Sequence, residues 1–554
     1  MQTPSHFRVL LLGVVLAVAS CKNYSSVSEK RPSFRAVTPA GQLIVDGLRH
    51  PAKERAERIG HFIDAAAVAG AVLEKHPDDV QARKDYNFAV GRIFEALHES
   101  GLQPWKKPVV CPSASGDWYF SMTHDGKPEH DPSHFRVLPA DRFQFSGSLV
   151  RERALKDGLG APMVMAPKSD PSSATFDPTK IDPFIQGKSV YYGITEVLQF
   201  KGRTCTATYL DPLSTETVTF GGHTYPVAAD FTAPIGLALA ELKPRKTELK
   251  NMFNPAQFAS SARLARLQPY DPRKIPILCI HGLGDSQATW APMIEALRSD
   301  ATIRQNYQIW FYSYPTGYPY PLMAALLRKK MDQIDAYYPG HKPVVVIGHS
   351  MGGNISRTLI TDSGLKIWDS FFDTPPDKTP LSEHNRRMIE SALIFNHRHD
   401  ISRVIFMSAS LGGSNTATSF VGRIGKKLIG GPSDIKDVGN DLVRLAKPRA
   451  DGKVLDATPN SIDVLDPNNR FITTINKIPP ARGIPYHSIM GDRGQGGNKD
   501  RTPPVLTDGI VPYWSAHIDG AQSEVIVPSG HWSNQHPAAI AEVKRILLQH
   551  LGKK

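Results

Sequence analysis

Apolar positions recur with different periods along this chain, and each change of period marks a change of structure. Between residues 59 and 97 the spacing is helical: Ile59, Phe62, Ile63, Ala66, Ala69 and Leu73 form one stripe, and Tyr86, Val90, Ile93, Phe94 and Leu97 a second. His76-Pro77-Asp78-Asp79 separates the stripes and Gly101 ends the second, which predicts a helical hairpin. No further copies of the unit follow, so the hairpin is expected to pack on a neighbour. From about Trp105 to Phe231 the texture is that of short strands and turns, at 142–150, 189–200 and 203–210, with Thr217 to Tyr225 reading as a hairpin around Gly221-Gly222. This predicts a small antiparallel β domain, with the Pro- and Ser-rich stretch 166–183 as a surface loop.

After a partly helical linker, 238–267, buried-strand runs appear: Ile275 to Ile280, Pro343 to Ile347, Val404 to Met407, Ile484 to Met490 and Glu524 to Val527. A helical pattern with Trp290, Met293, Ile294 and Leu297 on one face follows the first run, and 537–551 forms the last helix. The units expected are 1–20, 21–40, a helical hairpin region 41–104, a β-rich domain 105–235, a linker 236–268, and a domain 269–554. That last domain carries two insertions, at about 366–400 and 414–482. Inserts of this length in a compact domain are lids or disordered segments. The second holds Phe420, Val421, Ile424, Leu428 and Ile429 on one helical face with Arg423, Lys426 and Lys427 around it, a pattern that suits either a lipid interface or a cap over a cleft.

One stretch states a chemistry. Gly348-His349-Ser350-Met351-Gly352 lies between an apolar strand and the helix-compatible Asn354 to Ile360. A serine at such a turn is pushed out of the sheet at a helix N-terminus, and flanking glycines permit a bend that a Cβ would obstruct. A serine hydroxyl attacks an acyl carbon poorly unless a histidine removes its proton, a carboxylate orients that histidine, and amides hold the oxyanion. A glycine-rich turn, His281-Gly282-Leu283-Gly284, ends the strand at 275–280.

With these motifs the chain resembles the α/β-hydrolase superfamily, in its lipase and esterase branch, over roughly 269–551. The resemblance implies an α/β fold, a mostly parallel sheet flanked by helices, preceded here by the helical hairpin and the β domain. It also implies that the backbone amides of Leu283 and Met351 form the oxyanion hole, and that the acid and then the histidine follow the serine along the chain. His531, after the last strand in Ser529-Gly530-His531, occupies the place of the family's base; His536, just before the last helix, is the fallback. Two aspartates follow the strand at 484–490. Asp508, in Asp508-Gly509-Ile510-Val511-Pro512, looks like the family's acid loop, whereas Asp492 reads as a turn residue or a partner of Arg493. His487 and His517 have no motif support and read as structural. The chain departs from the pattern at Ser408 to Ser414, where relatives often carry Pro-His-Arg-Gly-Ser, which puts substrate specificity near this loop in question.

The N-terminus is read as a targeting segment. Arg8 precedes an apolar run from Val9 to Ala19, too short to span a bilayer, and Val18-Ala19-Ser20-Cys21 resembles the bacterial lipobox. That resemblance implies cleavage before Cys21, acylation of Cys21, and attachment to the cell envelope, with Lys22 favouring the outer membrane; the polar, Ser-rich 21–40 then reads as a tether. An ordinary secretory signal is the alternative. Four cysteines exclude a disulfide scaffold, and no spacing suggests zinc; Cys279 reads as a buried thiol, while pairing of Cys111 with Cys205 stays open. The 60.9 kDa mass and 41% hydrophobic content allow more than one core. The net charge of +12 is scattered rather than clustered, which argues against nucleic acid as a partner and is compatible with an anionic lipid surface.

The expectation is a lipid-anchored serine hydrolase acting on carboxylic esters, with lipid esters as substrate, Ser350 as nucleophile, His531 as base and Asp508 as acid. Its chemistry requires no metal or organic cofactor, and protein partners cannot be read from the sequence. A thioesterase or amidase on the same triad, and a non-catalytic envelope lipoprotein that binds acyl chains or a partner protein, are the alternatives.

Overall fold

The computed structural model describes residues 23–30, 32–124, 126, 131–150, 152–168, 190–253, 256, 262–414, 435–448, 452, 459–493 and 507–553. The targeting segment with Cys21, and the basic stripe from Phe420 to Ile429, lie outside the described residues. Among the described residues no helix is long and apolar enough to cross a membrane.

The N-terminal half builds one unit. Strand β1 (Ser26–Glu29) is followed by helices α1 (Pro39–Arg49), α2 (Arg55–Lys75) and α3 (Val80–Ser100). Thr38 caps α1 by accepting from the Gly41 amide at 2.8 Å, and Asp79 caps α3 by accepting from the Ala82 amide at 2.9 Å. Strands β2 (Val109–Cys111), β3 (Trp118–Thr123), β4 (Phe135–Pro139), β5 (Phe143–Ser146), β6 (Ala161–Pro167), β7 (Tyr192–Lys201) and β8 (Thr204–Leu210) follow. Six of them form a sheet in the order β2-β3-β8-β7-β6-β4. The sheet is not wholly antiparallel as expected, because β3 and β8 run parallel. The hairpin reading at Thr217 to Tyr225 corresponds to the antiparallel strands Thr217–Phe220 and His223–Pro226.

Hairpin and sheet share a single core rather than standing as two domains. Phe62, Ile63, Tyr86 and Phe94 of the helices pack in one buried cluster with Phe120, Leu198 and Phe220 of the strands. Neither layer can bury its apolar face alone. The Tyr86 hydroxyl closes the contact, donating to the Leu198 carbonyl at 2.7 Å and accepting from its amide at 2.8 Å. The expected tether is ordered from Asn23 onward, since β1 pairs antiparallel with β5 through Ser26–Ser146 to Glu29–Phe143. Edge pairing of four residues needs no apolar run, so composition alone did not reveal it. Cys111 and Cys205 are buried free thiols on β2 and β8, with β3 between them.

Helices α4 (Ala233–Leu242) and α5 (Pro244–Phe253) lead into the second sheet. Its strands are β9 (Arg263–Arg266), β10 (Ile275–Ile280), β11 (Tyr307–Ser313), β12 (Val344–His349), β13 (Ile401–Met407), β14 (Tyr486–Gly491) and β15 (Ser523–Val527). The order is β9-β11-β10-β12-β13-β14-β15, with β9 antiparallel to β11 and every other pair parallel. This is a mostly parallel sheet flanked by helices, the architecture the resemblance implies. It begins at β9, inside the segment read as linker, because Arg-Leu-Ala-Arg buries only Leu264 fully and carries no strand-length apolar run.

The apolar strands read as continuous runs because both faces are covered. On one face Leu278, Ile280, Val344, Val346, Val404 and Phe406 pack beneath α7 (Tyr320–Tyr337), α8 (Met351–Thr358) and the insertion helices. On the other, Ile277, Cys279, Val345, Ile347, Ile405 and Met407 pack beneath α6 (Ala291–Ser299) and α13 (Pro537–His550). The insertions contribute α9 (Lys366–Phe371), α10 (Glu383–Leu393), α11 (Lys436–Leu445) and α12 (Arg470–Ile475). The two halves are joined by the buried Arg304, whose guanidinium donates to both carboxylate oxygens of Glu216 at 2.8 Å.

If helices and sheet of the N-terminal unit share one core, Phe62→Ala, at a site 0% exposed, removes support from both layers. We expect a loss of about 3–5 kcal/mol, read by denaturant unfolding, with earlier proteolytic cleavage in β7 and β8 as well as in α2.

Candidate functional site

Ser350 sits where β12 turns into α8, with φ 54° and ψ −125°. A non-glycine residue in this region is strained, and the neighbours explain how it is held. A Cβ on Gly348 would lie 2.6 Å from the Gly352 carbonyl oxygen, and one on Gly352 would lie 2.2 Å from the carbonyl oxygen of Ile280. The Ser350 amide donates to the Met407 carbonyl at 3.0 Å, so β13 fixes the turn from its other side.

Three distant parts of the chain meet at this turn. His531 Nε2 lies 2.9 Å from Ser350 Oγ, and His531 Nδ1 lies 2.8 Å from Asp508 Oδ2. All three residues are buried. The other Asp508 oxygen accepts from the amides of Ile510 and Val511 at 2.8 and 2.7 Å. Burial raises the Asp508 pKa, but the hydrogen bond and charge of His531, with those two amides, outweigh it and hold the carboxyl below the usual range. Asp508 therefore stays ionised while it orients the imidazole.

The other candidates stand elsewhere. Asp492 is buried at the end of β14, where its amide donates to the Val527 carbonyl at 2.9 Å. Arg493 donates to the Asp508 backbone carbonyl at 3.0 Å and so braces the acid loop. His536 caps α13, accepting from the Ala538 amide at 3.3 Å. His487 is bonded between Arg403 and Ser523, and His517 between Glu524 and Asp519.

The second glycine-rich turn lies against Ser350. A Cβ on Gly282 would be 2.8 Å from Ser350 Cβ, so only glycine permits this approach. Leu283 follows, and the Gly284 amide is tied to Thr316 Oγ1 at 3.1 Å. Met351 is buried and opens α8, where an amide has no intrahelical acceptor. Behind the turn, His281 stacks on Tyr314 with ring centroids 4.5 Å apart.

Sequence reasoning missed one residue of the site's frame although it lay inside the motif. His349 Nε2 is 2.8 Å from the backbone oxygen of His531, so its N–H donates and pins the histidine loop to β12. Burial, and then the adjacent His531, push the His349 pKa down to about 3, which keeps the ring neutral. Other braces carried no sequence signal: Asn354 Nδ2 donates to the Ser410 carbonyl at 2.7 Å, and Ser408 Oγ is 2.8 Å from Ser533 Oγ. Both tie down the loop that departs from the family pattern.

Groupings of cation-ligand type occur elsewhere, at His50, Glu54 and Glu57 and at Asp335, His341 and Asp400. In the second, Arg398 already pairs with Asp335 at 2.7 Å and with Asp400 at 2.9 Å.

The geometry generates three expectations. Ser350→Ala should lower any turnover that runs through the Ser350–His531–Asp508 contacts by about 10³-fold or more, with little loss of stability. Asp508→Asn should lower it by up to about 10⁴-fold in a folded protein, and Asp492→Asn much less, as measured by steady-state kinetics with folded content from circular dichroism. Stability should fall in acid. Burial holds the pKa values of His281 and His487 near 4 and that of His349 near 3, while an unfolded histidine takes its proton near pH 6.5. Between about pH 6.5 and 3 the unfolded chain binds more protons, so unfolding free energy decreases as pH drops; replacing His349 by Gln should flatten that slope.

The family model described as "Alpha/beta hydrolase family" matches residues 277–543. Among solved structures, the mature lipase BlEst2 of Bacillus licheniformis is similar at 18% identity and TM-score 0.32, over 51% of this chain and 97% of that one. A bromoperoxidase from Bacillus anthracis is similar at 17% identity and TM-score 0.27, over 50% and 92%. The metagenomic carboxyl esterase MGS0156 is similar at 13% identity and TM-score 0.29, over 52% and 78%. The comparison with curated proteins gives no match. Strand order and the match at 277–543 together make the C-terminal half an alpha/beta hydrolase domain by fold.

Proposed function

We propose that the protein is a lipid-anchored serine hydrolase that cleaves carboxylic esters, with acylglycerols or other lipid esters as substrates. The observation that carries the reading is the relay Ser350–His531–Asp508, with both hydrogen bonds in place at 2.9 and 2.8 Å. His531 Nε2 takes the hydroxyl proton as Ser350 Oγ attacks the acyl carbon, and the Leu283 and Met351 amides hold the oxyanion. The tetrahedral intermediate collapses to an acyl-enzyme on Ser350 as the alcohol leaves with the proton from His531. Water, deprotonated by the same histidine, releases the acid.

The preference for lipid esters is supported by an apolar cavity of about 80 Å³ beneath the insertions. Pro321 and Leu322 of α7, Leu393 of α10, Val438 and Leu442 of α11, and Phe471 of α12 line it. Tyr320 stands between cavity and nucleophile helix: its ring meets Phe471 edge-on at 5.4 Å, and its hydroxyl bonds to Asn354, one turn beyond Ser350. Attachment to the membrane rests on the Val18 to Cys21 motif, with the outer membrane as its site.

Covalent capture of Ser350 by a fluorophosphonate tests the nucleophile, and p-nitrophenyl esters of rising chain length test the substrate class. Leu393→Trp should lower kcat/KM for long acyl chains by about tenfold while leaving short ones within about twofold, because it fills the cavity. Equal loss on acetate and on palmitate esters would remove the cavity from the reading. For the anchor, Cys21→Ser should abolish labelling by palmitate and release the protein from membranes.

A further inference from the structure

The N-terminal half has no part in the relay, yet a buried carboxylate of the connecting helix reaches the oxyanion loop. Glu248, on α5, is 3% exposed. One of its oxygens accepts from Ser286 Oγ at 2.5 Å and the other from the Tyr24 hydroxyl at 2.6 Å. Ser286 follows Gly284-Asp285 in the turn that presents Leu283 to Ser350. Its Oγ also accepts from the Ala288 amide at 3.1 Å, and its amide donates to Asp285 Oδ1 at 2.9 Å. The same helix touches the loop a second time, since Met252 Sδ lies 3.2 Å from where a Cβ on Gly284 would stand. Tyr24 is itself fixed. Its carbonyl accepts from the Leu149 amide at 3.1 Å, and Arg245 lies over its ring at 5.6 Å.

We propose that Glu248 is a positioning residue for ester hydrolysis, clamping the oxyanion loop from outside the hydrolase core through Ser286, with Tyr24 holding the clamp. The inference rests on the assignment of the Leu283 and Met351 amides to the oxyanion hole. An oxyanion donor acts over a narrow range, 2.7–3.1 Å from the developing charge. The core braces the loop through Thr316 on the Gly284 amide; the clamp adds a second brace two residues further on, at Ser286. Glu248 also acts on the loop by charge. Burial first, and then the neighbouring Glu248, push the Asp285 pKa up to about 8. Thr289, Tyr314, Ser286 and Tyr24 are the other groups that face it, and Arg245 faces Glu248.

The test compares Glu248→Ala, Glu248→Gln, Ser286→Ala and Tyr24→Phe with the full-length protein, all normalised to sites titrated by a fluorophosphonate. We expect Glu248→Ala and Ser286→Ala to lower kcat by about 10- to 100-fold with KM within about threefold, since removal of a whole donor costs 10²- to 10³-fold. Glu248→Gln, whose amide oxygen still accepts from Ser286, should recover most of that loss. Tyr24→Phe should cost about two- to fivefold. Affinity for a trifluoromethyl ketone, whose bound oxygen occupies the oxyanion position, should fall in parallel with kcat, while affinity for a fatty-acid product stays unchanged. Wild-type kcat in Glu248→Ala and Ser286→Ala would overturn the clamp while the triad stands. Failure of Glu248→Gln to recover, with ketone and product affinities falling together, would make Glu248 structural only. Absence of labelling at Ser350 in the wild type would instead overturn the hydrolase reading itself. If Glu248→Ala does not fold, Ser286→Ala, which trims one hydroxyl, decides between these outcomes.

Discussion

The site depends on one backbone conformation, the left-handed bend at Ser350, and on the close packing that leaves the bend no alternative. Such a residue costs on the order of 1–3 kcal/mol and persists only where its surroundings over-determine it. Here β10 passes so near that Gly352 has no room for a Cβ, Gly282 has none because Ser350 itself lies against it, and β13 takes the Ser350 amide. The strain is offset by burial of apolar strands on both faces of the sheet. It keeps Ser350 Oγ within reach of His531 instead of letting it turn down into the helix.

What was legible in the sequence follows from this. A nucleophile elbow needs small residues at fixed offsets, and a doubly covered parallel strand needs an unbroken apolar run, so both leave local signatures in Val344 to Gly352 and Ile275 to Gly284. The acid was legible only by resemblance, because two aspartates follow β14 and no local pattern says which one reaches back to the histidine. Geometry separates them, since Asp508 approaches His531 Nδ1 at 2.8 Å. Elements that depend on pairing or on a distant partner left no signature. β1 and β9 are short edge strands with polar composition, and their pairing is decided by β5 and β11. The links from Glu248 to Ser286 and from His349 to His531 span 38 and 182 residues, beyond any periodicity argument.

The single helix-on-sheet core of the N-terminal half has the same origin. Each layer's pattern was visible separately, in the stripes of α2 and α3 and in the short strand runs at 189–200 and 203–210. That they face each other is a fact of packing, sealed where the Tyr86 hydroxyl satisfies both backbone groups of Leu198. A buried polar atom without a partner costs about 1–3 kcal/mol, so this double bond is also what makes Tyr rather than Phe tolerable at that depth.

His531 shows how a loop histidine can be placed as firmly as one on a strand. Its ring is held at Nδ1 by Asp508, and its own backbone carbonyl is held by His349. Residues 349 and 350 thus make two contacts with one partner, the first to its main chain and the second to its ring. Fixing both ends removes rotation of the loop about the side chain, and the strained turn that exposes Ser350 also sets the direction of the His349 ring. The Ser350 hydroxyl and the His531 ring are therefore positioned by the same dipeptide at the carboxyl end of β12, where open α/β sheets place their ligands. Asp508 needs less of the frame. Its two loop amides hold one oxygen, and the other is left for the imidazole, so a loop that begins with Asp508 carries its own orientation wherever β14 delivers it.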